Sequence, residues 1–288
     1  MANNGEFVGQ EYEVATSGSD IKRETGRSRA LKIVTTTFFS FSIFLSISAI
    51  LFTMIFYIVE IRGSSMMNSI NSTLDTNAGL GDTQRIIDSG LVNRHMTPRR
   101  GDIIVVSDPR PHADGLMIKR LIAIGGDSLK FVADDTINNG SGVYRHHTYI
   151  RFAGTSDWVR LNEWYLSDEW AMYFFGVNIY EYINGRPRPY SSPEAIPFRA
   201  RFVVPASGGE PAHIAIPHGY MFYMGDNRGG PDQARFNMFT SYDSALAGPR
   251  NMSELHGVVV NIIPEEETIV QFFFRALGEF FSFRWLFG

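Results

Sequence analysis

One stretch dominates the hydropathy pattern: residues 33–59 run without a charge between Lys32 and Glu60. A helix needs about 20 such residues to cross a bilayer, so the pattern predicts a single membrane-spanning helix over residues 30–59. The polar members of the run, Thr35, Thr36, Thr37, Ser40, Ser42, Ser46, Ser48 and Thr53, all carry hydroxyls, which can bond back to carbonyls of their own helix. A core helix of a soluble protein is seldom this long and apolar. A cleaved export signal would be shorter and would end at a small-x-small site. Tyr57-Ile58-Val59-Glu60-Ile61-Arg62 offers no such site.

Beyond the span the pattern changes from helical runs to short β-branched ones. Residues 102–107 form one, entered through the turn signal Arg100-Gly101. Residues 117–124 form a second, closed by Gly125-Gly126-Asp127. Two more lie within residues 214–224, joined at Pro217-His218-Gly219, and a last one, residues 256–263, ends at Pro264. Short strands punctuated by Gly and Pro predict a mainly β fold built on antiparallel sheet. The main β domain is expected over residues 60–127 and 213–264. Residues 128–212, mixed polar and aromatic, are expected to form an inserted β-rich lobe, with Ile183-Asn184-Gly185 as a hairpin turn. Residues 71–98 read as a polar connection, partly a surface loop. The tail, residues 265–288, is dense in Phe and Leu, with Arg275, Glu279 and Ser282 at helical spacing on one side. It suits an interfacial helix on a bilayer or packing on the protein's own sheet, and the pattern does not choose between them.

Charge sets the orientation of the span. Lys22, Arg23, Arg27, Arg29 and Lys32 precede it closely, and only Arg62 follows it closely. The positive-inside bias puts residues 1–29, a polar tail without apolar periodicity, in the cytoplasm and the rest outside. Over all 288 residues, 26 Lys and Arg stand against 30 Asp and Glu, a formal charge of −4. No global positive field invites nucleic acid, which is not an expected partner. Cysteine is absent, which removes disulfides, zinc-thiolate sites and a Cys nucleophile together.

The chemistry narrows by elimination. There is no His-Glu-x-x-His, and His146 and His147, being adjacent, would face opposite ways on a strand. No metal and no cofactor is expected. No phosphate-binding Gly-x-x-x-x-Gly-Lys-Ser/Thr loop and no Gly-x-Ser-x-Gly elbow occurs. A Ser-His-Asp triad is a spatial arrangement that spacing neither nominates nor removes. What remains is Ser65, just past the span, and Lys119 within an apolar strand. An ammonium among such neighbours is costly to desolvate, so burial would favour the neutral amine, which can take a serine proton. The plain alternative is an edge lysine pointing to water.

These residues stand in segments that resemble, in order, the boxes of bacterial type I signal peptidases. Ser65-Met66-Met67-Asn68-Ser69-Ile70 is similar to the Ser-Met-x-Pro-Thr-Leu nucleophile box, and Arg100-Gly101-Asp102-Ile103-Ile104-Val105-Val106 to the next. Ile118-Lys119-Arg120-Leu121-Ile122-Ala123-Ile124-Gly125-Gly126-Asp127 resembles the Ile-Lys-Arg-Val-x-x-x-Pro-Gly-Asp box. Residues 217–228, ending Gly225-Asp226-Asn227-Arg228, resemble the Gly-Asp-Asn-Arg box. Gly248-Pro249 and Leu255-His256-Gly257-Val258 echo the closing strand.

The resemblance implies a membrane-anchored serine endopeptidase with Ser65 as nucleophile and Lys119 as general base. Ser65 N–H would bind the oxyanion, and Gly63 stands where some members add a hydroxyl. Arg120 and Asp226 match an ion pair bracing the site, with Asn227 and Arg228 in the same box. Ile61, Met66 and Ile118 match walls of the apolar pockets that accept small side chains. Implied partners are signal-peptide-bearing exported precursors and the lipid bilayer, with a monomer in the plasma membrane expected.

The chain departs from the family pattern in two places. Asn68-Ser69 replace Pro-Thr, and Gly229-Gly230-Pro231-Asp232-Gln233-Ala234-Arg235 stands where Asp-Asn-Ser-x-Asp-Ser-Arg is expected. Pro231 thus occupies the place of the serine that hydrogen-bonds the lysine. That change keeps two alternatives in view: a narrow-client processing peptidase of the same clan, such as one maturing conjugation pili, and a catalytically silent anchored binder of exported chains.

Overall fold

The structure, a computed structural model, describes residues 26–61, 65–66, 69–70, 88–108, 115–138, 143–166, 173–175, 202–228, 244, 248–264, 267–268, 271–272 and 275. Its two compact units are residues 1–52 and residues 53–288.

Helix α1, Gly26–Ile55, carries the apolar run. The segment Arg29–Ile55, 27 residues long, is apolar enough to cross a membrane. At 1.5 Å per residue it extends for about 40 Å, against the roughly 30 Å of a hydrocarbon core. Its large side chains are open, Phe38 by 66% and Ile33 by 67%, as a helix surrounded by lipid requires. Thr35 Oγ1 donates to the Leu31 carbonyl at 2.8 Å and Ser46 Oγ to the Ser42 carbonyl at 2.9 Å. The hydroxyls thus find acceptors one turn back in their own helix.

The helix stops short of residue 59, where hydropathy alone placed its end. Residues 56–59 instead open strand β1, Phe56–Ile61. Aromatic and β-branched side chains favour an extended backbone there, and β1 gains a full antiparallel ladder with β2, Asp88–Asn93.

Strand β3 is Ile103–Ser107, β4 is Leu116–Ile124, β5 is Ser128–Asn138 and β6 is Val143–Arg151. The short β7 (Val159–Arg160), β8 (Tyr173–Phe175), β9 (Val203–Val204) and β10 (His213–Ala215) follow. Then come β11 (Tyr220–Met224), β12 (Arg250–Asn251) and β13 (Leu255–Pro264). Two antiparallel sheets result among the described residues. The first has the order β1-β2-β13-β3-β4-β11-β12; the second runs β7-β6-β5-β10-β9, with β8 also on β6. The fold is mainly β, with one apolar N-terminal helix. Strand β10 lies in the second sheet, so that sheet reaches a few residues past the expected insert of 128–212.

The second sheet is joined to the first through a common core. Ile122 and Ala123 of β4 and Phe222 and Met224 of β11 cluster with Leu129 and Phe131 of β5, Ile150 of β6, and Ile214 and Ile216. A second cluster, Ile104, Val106, Leu121, Met221, Tyr223 and Val258, fills the first sheet alone.

The turn between β4 and β5 shows why two of the boxes contain the residues they do. Asp127, 1% exposed, accepts from Arg100 Nε and Nη2 at 2.7 and 2.8 Å, and from the N–H groups of Ile124 and Ala153 at 2.9 and 3.0 Å. A single carboxylate thereby ties the Arg100 turn to the end of β4. Gly126 sits at φ +94°, which disfavours any side chain. A Cβ on Gly125 would lie 2.8 Å from the Pro217 carbonyl oxygen and the His218 Cα.

Of the C-terminal segment, Phe272 is 7% exposed and packs with Leu91 and Ile263. At that residue the chain rests on its own sheet. Arg275 reaches back to Glu267 at 2.8 Å through Nε and Nη2, and this bonding holds the Glu267 carboxyl below its usual range. The Asn184-Gly185 turn lies outside the described residues.

Candidate active site

Strand β4 supplies two adjacent basic side chains, and alternation along a strand sends neighbouring side chains to opposite faces. The turn that carries Ser65 and Ser69 meets both. Lys119 Nζ lies 2.7 Å from Ser65 Oγ, and Arg120 Nη2 lies 3.1 Å from Ser69 Oγ. That turn is closed by its own backbone, with Ser69 N and Ile70 N donating to the Met66 carbonyl at 3.1 and 2.9 Å. Met66 and Ile70, 2% and 1% exposed, pin it in an apolar cluster with Ile61, and Ile103, Ile118 and Ile262 pack around them. The three residues expected to wall the pocket, Ile61, Met66 and Ile118, therefore share one apolar neighbourhood.

Lys119 is 3% exposed. Its cross-strand partner on β3 is Ile104, and the Ser65 hydroxyl lies at the tip of its side chain. Ser65 is also tied through its carbonyl, which accepts from Asn227 N–H at 3.1 Å. Asn227 belongs to the loop after β11, so the Ser65 backbone is fixed by the Gly225-Asp226-Asn227-Arg228 box.

The same loop holds Arg120. Asp226, fully buried, accepts from Arg120 Nε and Nη2 at 2.9 and 2.6 Å, and Arg120 Nη1 donates to the Gly101 carbonyl at 2.8 Å. One guanidinium thus links the Ser65 turn, the β3 entry turn and the loop after β11. Ser69, which stands where the family pattern has Thr, keeps a hydroxyl in this linkage.

Arg228 is held from a different direction. Glu163 Oε1 lies 2.7 Å from Arg228 Nη2, Gly225 O accepts from Nε at 3.1 Å, and the Tyr165 hydroxyl accepts from Nη2 at 3.3 Å. Burial alone would lower the Arg228 guanidinium, but Glu163, Tyr165 and Asp226 outweigh it and hold the group charged, above its ordinary range. Burial pushes the Tyr165 phenol far up, with Arg228 opposing and Glu163 adding to the rise. The phenol keeps its proton and donates it to Glu163 Oε1 at 3.1 Å. The Tyr165 ring also lies 4.0 Å under Arg120 Cζ. Sequence reading missed Glu163 and Tyr165: they follow β7 in a mixed polar and aromatic stretch with no local motif, and only their contact with the loop after β11 reveals them.

Gly63 and residues 229–235, with Pro231, lie outside the described residues. Among the described residues no group of three or more His, Asp or Glu side chains is placed to hold a metal. A cavity of about 400 Å³ opens on the second sheet, lined by Arg145, His146, His147, Arg160 and Glu163 among others; Ser65 and Lys119 are not in its lining.

A hydroxyl in contact with a buried amine, on a turn that neighbouring loops hold rigid, is the equipment of acyl transfer. The family model for signal peptidase, peptidase S26, matches residues 33–263, and the protein belongs to that family. A crystal structure of a signal peptidase I from Enterococcus faecalis V583 is similar to it, at 22% sequence identity and a TM-score of 0.30, covering 57% of this chain and 98% of that one. No curated protein matches the sequence.

Proposed function

We propose that this peptidase removes N-terminal signal peptides from exported precursors by a Ser65–Lys119 acyl-enzyme mechanism, while anchored by a single membrane span. The observation that carries the reading is the 2.7 Å contact between Lys119 Nζ and Ser65 Oγ at an amine 3% exposed. Stripped of hydration, such an amine favours its neutral form. Neutral Nζ takes the Ser65 proton as Oγ attacks the scissile carbonyl, and the tetrahedral oxyanion is met by the Ser65 N–H. The protonated amine then gives its proton to the leaving amine. Once neutral again, it activates the water that frees Ser65. Arg120, Asp226, Asn227 and Arg228 hold the two reacting groups in register without touching substrate.

Specificity for small residues, Ala above all, at −1 and −3 from the cut is supported by the apolar cluster that joins Ile61, Met66 and Ile118. Retention of the helix in the plasma membrane, with residues 1–29 cytoplasmic, is supported by the flanking charges. A substrate whose own apolar segment lies in the same bilayer is then found by a search in two dimensions.

The test is incubation of the purified full-length protein in detergent with a mixed set of precursors, reading cut sites by mass. Ser65→Ala and Lys119→Ala should each abolish cleavage and leave the unfolding profile in place; an active Lys119→Ala sinks the mechanism. Protease added outside intact cells should digest residues 60–288 and spare the tail, and the reverse pattern overturns the topology. The divergent residues 229–235 favour a second reading, a narrow client range, and cleavage of only one or two precursors in the set would select it.

A further inference from the structure

The second sheet makes a contact with the site that the mechanism above does not use. The segment leaving β7 presents Glu163 and Tyr165 to two buried guanidiniums. Glu163 takes Arg228 at 2.7 Å, with side-chain exposures of 11% and 1%. The Tyr165 hydroxyl bridges the two, accepting from Arg228 and donating to Glu163. The ring of Tyr165 lies 4.0 Å from Arg120 Cζ and 5.9 Å from Arg228 Cζ. The result is a balanced cluster, Arg120 and Arg228 against Asp226 and Glu163, assembled around one phenol. The tyrosine stays protonated there because burial holds its pKa high.

We infer that Glu163 and Tyr165 are positioning residues for the Ser65–Lys119 pair, acting through Arg228 and Arg120. The inference rests on that pair being the one that reacts. Arg228 Nε holds the Gly225 carbonyl, and between Gly225 and Arg228 lie Asp226, the partner of Arg120, and Asn227, whose N–H fixes the Ser65 carbonyl. With Glu163 in place, Arg228 has a carboxylate of its own and Asp226 is left to Arg120. Without it, the other carboxylate that acts on a buried, uncompensated Arg228 is Asp226. Competition for Asp226 loosens Arg120, the residue adjacent to Lys119, and moves the loop that holds Ser65. A misplacement of about 1 Å is enough to cost up to 100-fold in rate. The bland reading is that Glu163 and Tyr165 only pack one sheet against the other.

The experiment uses the full-length protein in detergent and a fluorogenic precursor peptide, measuring kcat, KM and thermal unfolding for each variant. Glu163→Gln is expected to lower kcat by about 10-fold, with KM within twofold of the parent. Glu163→Asp should recover part of that loss, and Tyr165→Phe, which keeps the ring and its packing, should give a smaller fall. The double variant Glu163→Gln/Arg228→Met removes both buried charges. It should regain unfolding temperature without regaining kcat, because the loop is still unheld. Three results would overturn the inference: an unchanged kcat in Glu163→Gln and Tyr165→Phe, an effect confined to KM, or recovery of kcat together with stability in the double variant. If Glu163→Gln does not fold, Tyr165→Phe decides alone. Ser65→Ala in the same assay separates the two levels. Cleavage surviving that substitution overturns the Ser65–Lys119 reading and this inference with it, whereas loss of cleavage there leaves the Glu163 and Tyr165 results to stand or fall by themselves.

Discussion

Asp226→Ala is the substitution whose consequence follows most directly from the geometry. Asp226 is fully buried and Arg120 retains only 8% side-chain exposure, and two hydrogen bonds of 2.9 and 2.6 Å join them. Removing one partner of such a pair leaves a charge without water or counter-ion, which typically costs about 3–5 kcal/mol. Arg120 would keep the Gly101 carbonyl, the Ser69 hydroxyl and the Tyr165 ring, so the lower end, about 3 kcal/mol, is expected. For a domain above 150 residues, each kcal/mol lowers Tm by about 2–4 °C, giving a fall of about 6–12 °C. The assay is a thermal scan of the detergent-solubilised full chain followed by tryptophan fluorescence. The internal control is Glu254→Ala, which breaks the Arg250–Glu254 pair at 22% and 23% side-chain exposure. A pair open to solvent is worth about 0–1 kcal/mol, so that variant should melt close to the parent. If Asp226→Ala melts no lower than Glu254→Ala, the view of Arg120–Asp226 as the buried brace of the site is wrong.

Three further outcomes are expected. Phe222→Ala empties a fully buried position in the core shared by the two sheets, and should cost about 3–5 kcal/mol in urea unfolding; a loss below 1 kcal/mol would mean that the sheets do not depend on that contact. Gly125→Ala drives a methyl to within 2.8 Å of backbone atoms at residues 217 and 218, and should destabilise by about 1–3 kcal/mol; a variant as stable as the parent would show that the β4–β5 turn is slacker than drawn. The proposed mechanism needs Lys119 neutral to act as a base, so kcat should climb with pH through one ionisation and then level off, and a profile that is flat or falls toward alkaline pH removes Lys119 from that role.

The strands most legible in the sequence were those with nearly continuous apolar runs. Strands β3, β4, β11 and β13 are β-branched or aromatic runs bounded by Gly or Pro, and their edges fell within a residue or so of the pattern. Strand β2 was not legible. Asp-Ser-Gly-Leu-Val-Asn carries only two large apolar residues in a polar stretch, and it is a strand because β1 and β13 pair with it on both edges. The end of α1 was obscured for the opposite reason: residues 56–59 are as apolar as the helix before them, and only the ladder with β2 distinguishes them. The site divides along the same line. Ser65, Lys119, Arg120 and Asp226 sit in compact boxes that a sequence displays. Glu163 and Tyr165 act across a sheet-to-sheet contact, which leaves no trace in local spacing.

The core shared by β4, β11 and the second sheet bears on how much of this chain can be dispensed with. Cutting out the polar, aromatic region from the middle of the sequence would look like trimming an ornament. It would strip Leu129, Phe131 and Ile150 from above Ile122, Ala123, Phe222 and Met224, laying a greasy strip bare on the very strand that carries Lys119. A shortened relative must therefore roof that strip with something else, whether a smaller hairpin, a neighbouring protein or lipid. In this chain that roof is the second sheet.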